Sequence, residues 1–290
     1  DASYKDSVDS AETIRIPRSM FYRNLVVTTA IVVAFSASAI SRAEKPLENA
    51  HAHNDYLHEH PLFDALDLGF NSVEADIFLV DGELLVGHSR GQLKPERTLE
   101  SLYLGPLARR VKQNGGHVYP DGGRFFLLID VKNEPLETYR HLAKELATHA
   151  DMLTTVEDGK VRPGAITAVV TGAQSRAELL KANPRYAGLD GHLTDLDTHE
   201  PAHAMPMISD NWTSHFSWQG DGPIPAAEQA KLKEITTKTH AAGRVVRFWA
   251  TPENENFWRE LRSDGVDLLN TDQLKRLAVF LRSSEAPKQP

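Results

Sequence analysis

Histidines and carboxylates stand close together in one stretch: His51-Ala52-His53-Asn54-Asp55, then Val73-Glu74-Ala75-Asp76, then Gly87-His88. Glu74 and Asp76 are two residues apart on an extended segment, so their side chains leave the same side of a sheet and can hold one cation together. Further on, Phe125-Phe126-Leu127-Leu128-Ile129 runs straight into Asp130-Val131-Lys132. A carboxylate behind five apolar residues is costly to bury unless it is paired or metal-bound. Lys132, on the same side, is one partner, and a cation shared with Glu74 and Asp76 is the other. Three such carboxylates form a hard oxygen site suited to Mg2+ or Ca2+, with water completing the shell and phosphate oxygens as welcome ligands. Histidines flanking it can serve as general base and general acid, because an imidazole with a pKa of about 6.5 exists in both forms near neutrality. His51 and His88 are the candidates.

Such residues must be delivered by a scaffold, and the chain from Glu48 onward alternates short apolar β-rich runs with amphipathic helical stretches. That is the pattern of a parallel βα-repeat fold. Eight runs are expected, at residues 48–53, 71–80, 124–132, 165–171, 187–193, 205–210, 244–250 and 266–271. Asp81-Gly82 between apolar runs signals a hairpin leading into residues 83–88. Helices are expected over 61–68, 99–113, 135–149, 174–182, 226–242, 252–263 and 272–281, with Asp272 as the cap of the last. The fold class is a single-domain TIM (β/α)8 barrel with a small β-hairpin after strand two. In that architecture functional side chains gather at the C-terminal ends of the strands, which is where the histidines and carboxylates fall. The loop 211–225, carrying Trp212, Phe216 and Trp218, is expected to form a lid or substrate wall. His58, His60, His203 and His215 read as loop or solvent histidines.

The chain has 290 residues, is 41% hydrophobic and 25% charged, and carries a formal charge of -8 with no cysteine. This is an ordinary globular composition. Disulfides, thiolate nucleophiles and cysteine-bound zinc are excluded. The acidic balance argues against nucleic acid as a partner. Arg15, Arg18 and Arg23 precede an apolar run from Leu25 to Ile40 that ends at Ser41-Arg42-Ala43. Residues 20–43 therefore read as a signal peptide, too short and too polar for a membrane anchor. Export with cleavage near Ala43 is the expected localisation, leaving residues 1–19 as an upstream extension and 44–290 as the catalytic domain.

The combined motifs, His51 … Val73-Glu74-Ala75-Asp76 … Asp81-Gly82-Glu83-Leu84-Leu85-Val86-Gly87-His88, then Leu128-Ile129-Asp130-Val131-Lys132 and Asn270-Thr271-Asp272, resemble the superfamily of glycerophosphodiester phosphodiesterases and phosphatidylinositol-specific phospholipases C. His-Asn-Asp-Tyr at 53–56 and Glu-Leu-Leu-Val-Gly-His at 83–88 look like the branch similar to the yeast "altered inheritance of mitochondria" protein. The resemblance implies a TIM barrel with one divalent cation, Mg2+ or Ca2+, on Glu74, Asp76 and Asp130, and two histidines as acid and base in the attack on a phosphodiester. It further implies that Lys132 steadies the phosphate, that Trp249 walls the leaving-group pocket, and that Asn54 contacts substrate. Where typical glycerophosphodiesterases have Arg-Gly after the first histidine, this chain has Ala52-His53, so the head group stays open among glycerophosphodiesters and (lyso)phospholipids. His53 competes with His51 for the first catalytic role. His51 is preferred because Asn54 then falls three residues later, as in sphingomyelinase D-like enzymes. A small-molecule or lipid phosphodiester, transient contact with a membrane surface and a monomeric state complete the expectation.

Two rivals carry different chemistry. His51-Ala52-His53 also fits the paired-histidine zinc motif of amidohydrolase barrels, with His192 and Asp272 in support. The other rival is a barrel that binds a phosphate ligand without turning it over, for which the full set of two histidines and three carboxylates is unexpected.

Overall fold

The computed structural model describes residues 45–285. The upstream extension and the expected signal segment lie outside the described residues. Eleven strands are present among them: β1 (Leu47–Ala52), β2 (Phe70–Val80), β3 (Glu83–Val86), β4 (Phe125–Val131), β5 (Thr155–Glu157), β6 (Lys160–Arg162), β7 (Ile166–Gly172), β8 (Ala187–Gly191), β9 (Met207–Asn211), β10 (Val245–Trp249) and β11 (Leu269–Thr271). Eight of them run in parallel in the order β10-β9-β8-β7-β4-β2-β1-β11. A parallel bridge between Arg247 and Leu268 joins the two ends. The result is the expected TIM barrel.

The helices are α1 (Phe63–Asp67), α2 (Gly105–Gln113), α3 (Pro135–Thr148), α4 (Arg176–Lys181), α5 (Trp212–His215), α6 (Ala226–Ala241), α7 (Glu255–Ser263) and α8 (Leu274–Glu285). Alternate residues of each strand serve two apolar layers. Phe126, Leu128, Val169, Met207, Val245 and Leu268 form one cluster, inside the barrel. Leu127, Ile129, Val170 and Phe248 belong to the larger cluster shared with helix residues such as Leu142 and Leu277. Burial on both faces is why β4 reads as an unbroken apolar run until Asp130.

The hairpin β2–β3 pairs Ile77 with Val86 and Val80 with Glu83, and its turn holds both Asp81 and Gly82 at positive φ, 51° and 86°. The type I′ turn demands that, and Asp-Gly supplies it at low cost. The hairpin carries the chain from the end of β2 back over the barrel mouth and delivers His88. A second hairpin, β5–β6, turns at Asp158-Gly159 and was not expected, although the dipeptide is the same signal.

The loop 211–225 is not a lid. Trp212, Phe216 and Trp218 are all buried, with Trp212 stacked on Phe216 at 4.0 Å between centroids and Trp218 stacked on Phe257 at 5.2 Å. Burial of such large apolar surfaces outweighs what they could contribute as an exposed wall. The helix expected at 99–113 begins as a wider π-type turn over Glu100–Leu104 before α2.

Candidate active site

At the C-terminal ends of the strands the residues line one cavity of about 300 Å3: His53 and Asn54 after β1, Glu74 on β2, His88 after β3, Asp130 and Lys132 at β4, with Thr171, His192, Arg247 and Trp249 completing the wall. Glu74 and Asp76 point inward together from β2, and in the parallel register Asp76 sits beside Asp130 of β4. One oxygen each from Glu74, Asp76 and Asp130 lies within 4.8 Å of the others, the one such group of potential metal ligands among the described residues.

Each carboxylate is also tied to protein cations. Lys132 Nζ lies 2.9 Å from Asp76 Oδ2 and 2.7 Å from Asp130 Oδ2, and Arg247 Nη2 donates to Glu74 Oε2 at 2.5 Å. Three negative charges against two positive ones leave a residual charge of one, and Asp76 Oδ1 is buried without a partner. That orphaned oxygen and the all-oxygen donor set fit a divalent cation. Burial, with Asp76 and Glu74 as like charges, pushes the Asp130 carboxyl up to about 6 despite Lys132. Glu74 is the reverse case: burial would raise its pKa, but the Arg247 guanidinium and the His51 hydrogen bond hold it well below the usual carboxylate range. Lys132, despite burial, is pushed upward by Asp130 and Asp76.

His51 requires a correction. It is fully buried, with Nδ1 2.8 Å from Ser72 Oγ and Nε2 3.2 Å from Glu74 Oε2. Burial and the nearby Arg247 lower its pKa to about 3. A neutral ring that donates from Nε2 to Glu74 and accepts at Nδ1 from Ser72 has no nitrogen left for substrate. Its place in the fold makes it a support for Glu74, and it is lost equally to the zinc motif of the amidohydrolase alternative.

His53, two residues closer to the mouth, lines the cavity, with Nδ1 2.8 Å from Asp272 Oδ1. Burial would lower its pKa, but the Asp272 hydrogen bond and the Glu74 charge raise it above the ordinary value. Asp272 is therefore not simply a helix cap: its carboxylate serves His53, and Asn54 as well. His88 Nδ1 lies 3.1 Å from Asp76 Oδ2, which leaves Nε2 free. Asn54 lines the cavity, but its amide is engaged by protein groups, with Nδ2 donating to the Asp272 carboxylate beside the His53 ring and Oδ1 2.6 Å from Tyr56 Oη. Trp249 is partly exposed on the wall. Of the other polar side chains here, Arg247 went unrecognised in the sequence, Tyr56 entered only within a motif and His192 only in the zinc alternative. Arg247 had a signal, because an arginine inside Val245-Val246-Arg247-Phe248 must be buried and so needs a carboxylate.

A family model described as an AIM6-like phosphodiesterase domain matches residues 39–188. The chain belongs to the AIM6-like phosphodiesterase family. It is thus an enzyme of the phosphoric diester hydrolase type, within the wider superfamily whose barrel it shares. This phosphodiesterase is 29% identical to an altered inheritance of mitochondria protein 6 homolog from Arthroderma benhamiae, over 87% of this chain and 98% of that one. It is 28% identical to altered inheritance of mitochondria protein 6 of Saccharomyces cerevisiae, over 82% and 72%. Its barrel is similar to that of a glycerophosphodiester phosphodiesterase from Parabacteroides distasonis, with a TM-score of 0.50 and 14% identity over 83% of this chain and 99% of that one, a likeness of fold.

The relatives also correct the localisation. Their printed names refer to the inheritance of mitochondria, which stands against the expectation of export. Among the described residues no helix is long and apolar enough to cross a membrane.

Proposed function

We propose that the chain is a metal-dependent phosphodiesterase acting on a glycerophosphodiester or (lyso)phospholipid-type substrate, with His53 and His88 as the acid–base pair. The observation that carries the reading is one cavity in which two imidazoles, each fixed through Nδ1 by a carboxylate, flank three clustered carboxylates and a lysine. Glu74, Asp76 and Asp130 would hold Mg2+ or Ca2+, which when bound supplies charge neutralisation and Lewis acidity at the phosphate oxygens.

The side chains then divide the remaining work. Lys132 draws in the phosphate. His53, whose pKa is raised, carries a proton at Nε2 and delivers it to the leaving oxygen. His88 takes the proton of the attacking hydroxyl or water at Nε2, while Asp76 steadies the imidazolium that forms, as carboxylates do in comparable pairs. Trp249 offers an apolar face to the leaving group. The cavity admits a phosphate and a small head group, so acyl chains of a lipid substrate stay outside, consistent with transient contact with a membrane surface. The reading keeps a monomer and no nucleic-acid partner.

The test is hydrolysis of bis-p-nitrophenyl phosphate and of a lysophospholipid and glycerophosphodiester panel, with Mg2+, Ca2+ or EDTA. Turnover lost with EDTA and in Asp130→Ala and His88→Ala is expected. Full activity in either variant, or stoichiometric zinc with Glu74→Ala still active, would overturn the reading in favour of other chemistry.

A further inference from the structure

Tyr56 contributes nothing to the cavity wall, yet its hydroxyl occupies the centre of the site's wiring. The residue is 2% exposed. Its Oη lies 2.7 Å from Asp76 Oδ2, 2.6 Å from Asn54 Oδ1 and 3.3 Å from His88 Nδ1. Asp76 Oδ2 in turn receives His88 Nδ1 at 3.1 Å. On the other side, Asn54 leans on the His53 ring and shares the Asp272 carboxylate that holds His53 Nδ1. Along these contacts His88, Asp76, Tyr56, Asn54, Asp272 and His53 form one line from one imidazole to the other, with the one Tyr56 proton shared between Asp76 Oδ2 and Asn54 Oδ1.

The backbone around Tyr56 is built to hold that position. Asp55, the residue before it, turns the opposite way and accepts from Leu62 N at 2.5 Å and Tyr103 Oη at 2.9 Å, pinning the short turn Asp55–Leu57 to the helical layer. Arg97 Nη2 donates to the Tyr56 carbonyl at 2.5 Å. Asn54 is held at φ 48°, a left-handed conformation that asparagine tolerates better than most residues. Three hydrogen bonds, two on Asp55 Oδ2 and one on the Tyr56 carbonyl, fix the loop without the Tyr56 hydroxyl, so the loop does not need that hydroxyl to keep its shape. A phenol placed among two acceptors and an imidazole, and buried where phenylalanine would pack equally well, points to a role in the site.

We infer that Tyr56 is a positioning residue that couples His53 to His88, its single hydroxyl proton shared between Asp76 Oδ2 and Asn54 Oδ1 and thereby setting both imidazoles relative to the phosphodiester. It touches neither substrate nor reacting atoms. The inference rests on the proposed acid–base pair and extends it: the two histidines act as one oriented unit, and the His-Asn-Asp-Tyr run at 53–56 is that unit's local code, with Asp55 directed to the scaffold and the other three to the site.

The test is Tyr56→Phe, which keeps the ring. Removing such an outer partner is expected to lower kcat by about 10- to 100-fold, with KM within about twofold and the melting temperature lowered by about 2–4 °C, the size of one hydrogen bond. Asn54→Ala and the double variant complete a cycle. Because both act along one chain, the double variant should lose little more than Tyr56→Phe alone. A Tyr56→Phe enzyme retaining kcat within twofold, or single losses that simply multiply in the double variant, would overturn the coupling while leaving the phosphodiesterase reading intact. Should the unmodified protein turn over no phosphodiester, that reading falls, and the coupling is judged from the imidazole 15N resonances. Tyr56→Phe should shift those of both His53 and His88, and a change confined to one ring, or none, would count against it.

Discussion

His51 and His53 are separated by two residues and by a change of role. Both project inward from β1, but at about 3.3 Å per residue His53 stands roughly 7 Å nearer the mouth, where Asp272 replaces Ser72 and Glu74 as partner. Depth thus decides which ring keeps a free nitrogen. His53→Ala is expected to cost on the order of 10²–10⁴ in kcat with the fold intact. His51→Ala should instead cost about 1–3 kcal/mol of stability by stranding Ser72 and Glu74. Steady-state kinetics beside denaturant melts separate the two, and a stable, fully active His53→Ala would reinstate His51. A second prediction concerns Asp55. Burial pushes its carboxyl from 3.8 up to about 7, against the hydrogen bonds from Leu62 and Tyr103. A folded-state pKa above the unfolded one means that ionisation costs stability: the cost is absent below about pH 4, grows through pH 7 and is complete above. Asp55→Asn should therefore gain on the unaltered protein between pH 5 and pH 8, by up to about 4 kcal/mol at about 1.4 kcal/mol per unit. A gap that does not change with pH in melts would disprove the assignment.

At the scale of elements, the aromatic segment after β9 behaves as core. Trp218 stacks on Phe257 of α7, edges Trp212 at 6.5 Å and donates Nε1–H to Asp221 O at 3.1 Å. Trp218→Ala should cost about 3–5 kcal/mol and leave KM unchanged, whereas a lid would show a raised KM with little loss of stability. Gly172 ends β7 at φ 71°, and a Cβ there would collide with the Asp130 carboxylate, so only glycine allows β7 to close against the site. All eight barrel strands were legible because parallel strands buried on two faces must be apolar, and because Asp130 interrupts β4 at the point where the barrel opens. The gathering of the carboxylate trio and His88 was legible because each is a polar residue set in or just after an apolar strand, Glu74 and Asp76 within β2, Asp130 near the end of β4 and His88 after β3. That His53 and not His51 lines the cavity was not, because alternation gives direction and not depth. The Asp272–His53 bond joins residues 219 apart in sequence, a distance at which no local pattern speaks. The burial of Trp212, Phe216 and Trp218 was equally hidden, since a loop's apolar residues look the same whether they face a ligand or a helix.

For the molecule as a whole, the ionic cluster spans the barrel where its apolar filling ends. Phe126, Leu128, Val169, Met207, Val245 and Leu268 pack the interior. Above them Glu74 of β2, Arg247 of β10 and Asn270 of β11 are joined, Arg247 Nε reaching Asn270 Oδ1 at 3.0 Å across the seam where β10 meets β11. That seam has one parallel bridge, with Asp267 N and Leu268 N both reaching Val246 O at 3.1 Å, and the side-chain bonds across it add to the closure. A cation on Glu74, Asp76 and Asp130 would bind the closed barrel and not the unfolded chain, and so must stabilise it by mass action: about 2.7 kcal/mol at a hundredfold excess over Kd. For a domain of this size that is a rise of about 5–10 °C in melting temperature. Removing Mg2+ and Ca2+ with a chelator is expected to reverse the rise in the unaltered protein and to change nothing in Asp76→Asn, which weakens the ligand set while keeping hydrogen-bonding oxygen and nitrogen atoms at the same positions. Because melting is read without substrate, the result bears on the metal independently of turnover. Identical melting curves with metal and with chelator would mean that Lys132 and Arg247 alone balance the three carboxylates, and that the phosphate is handled by side chains without a cation.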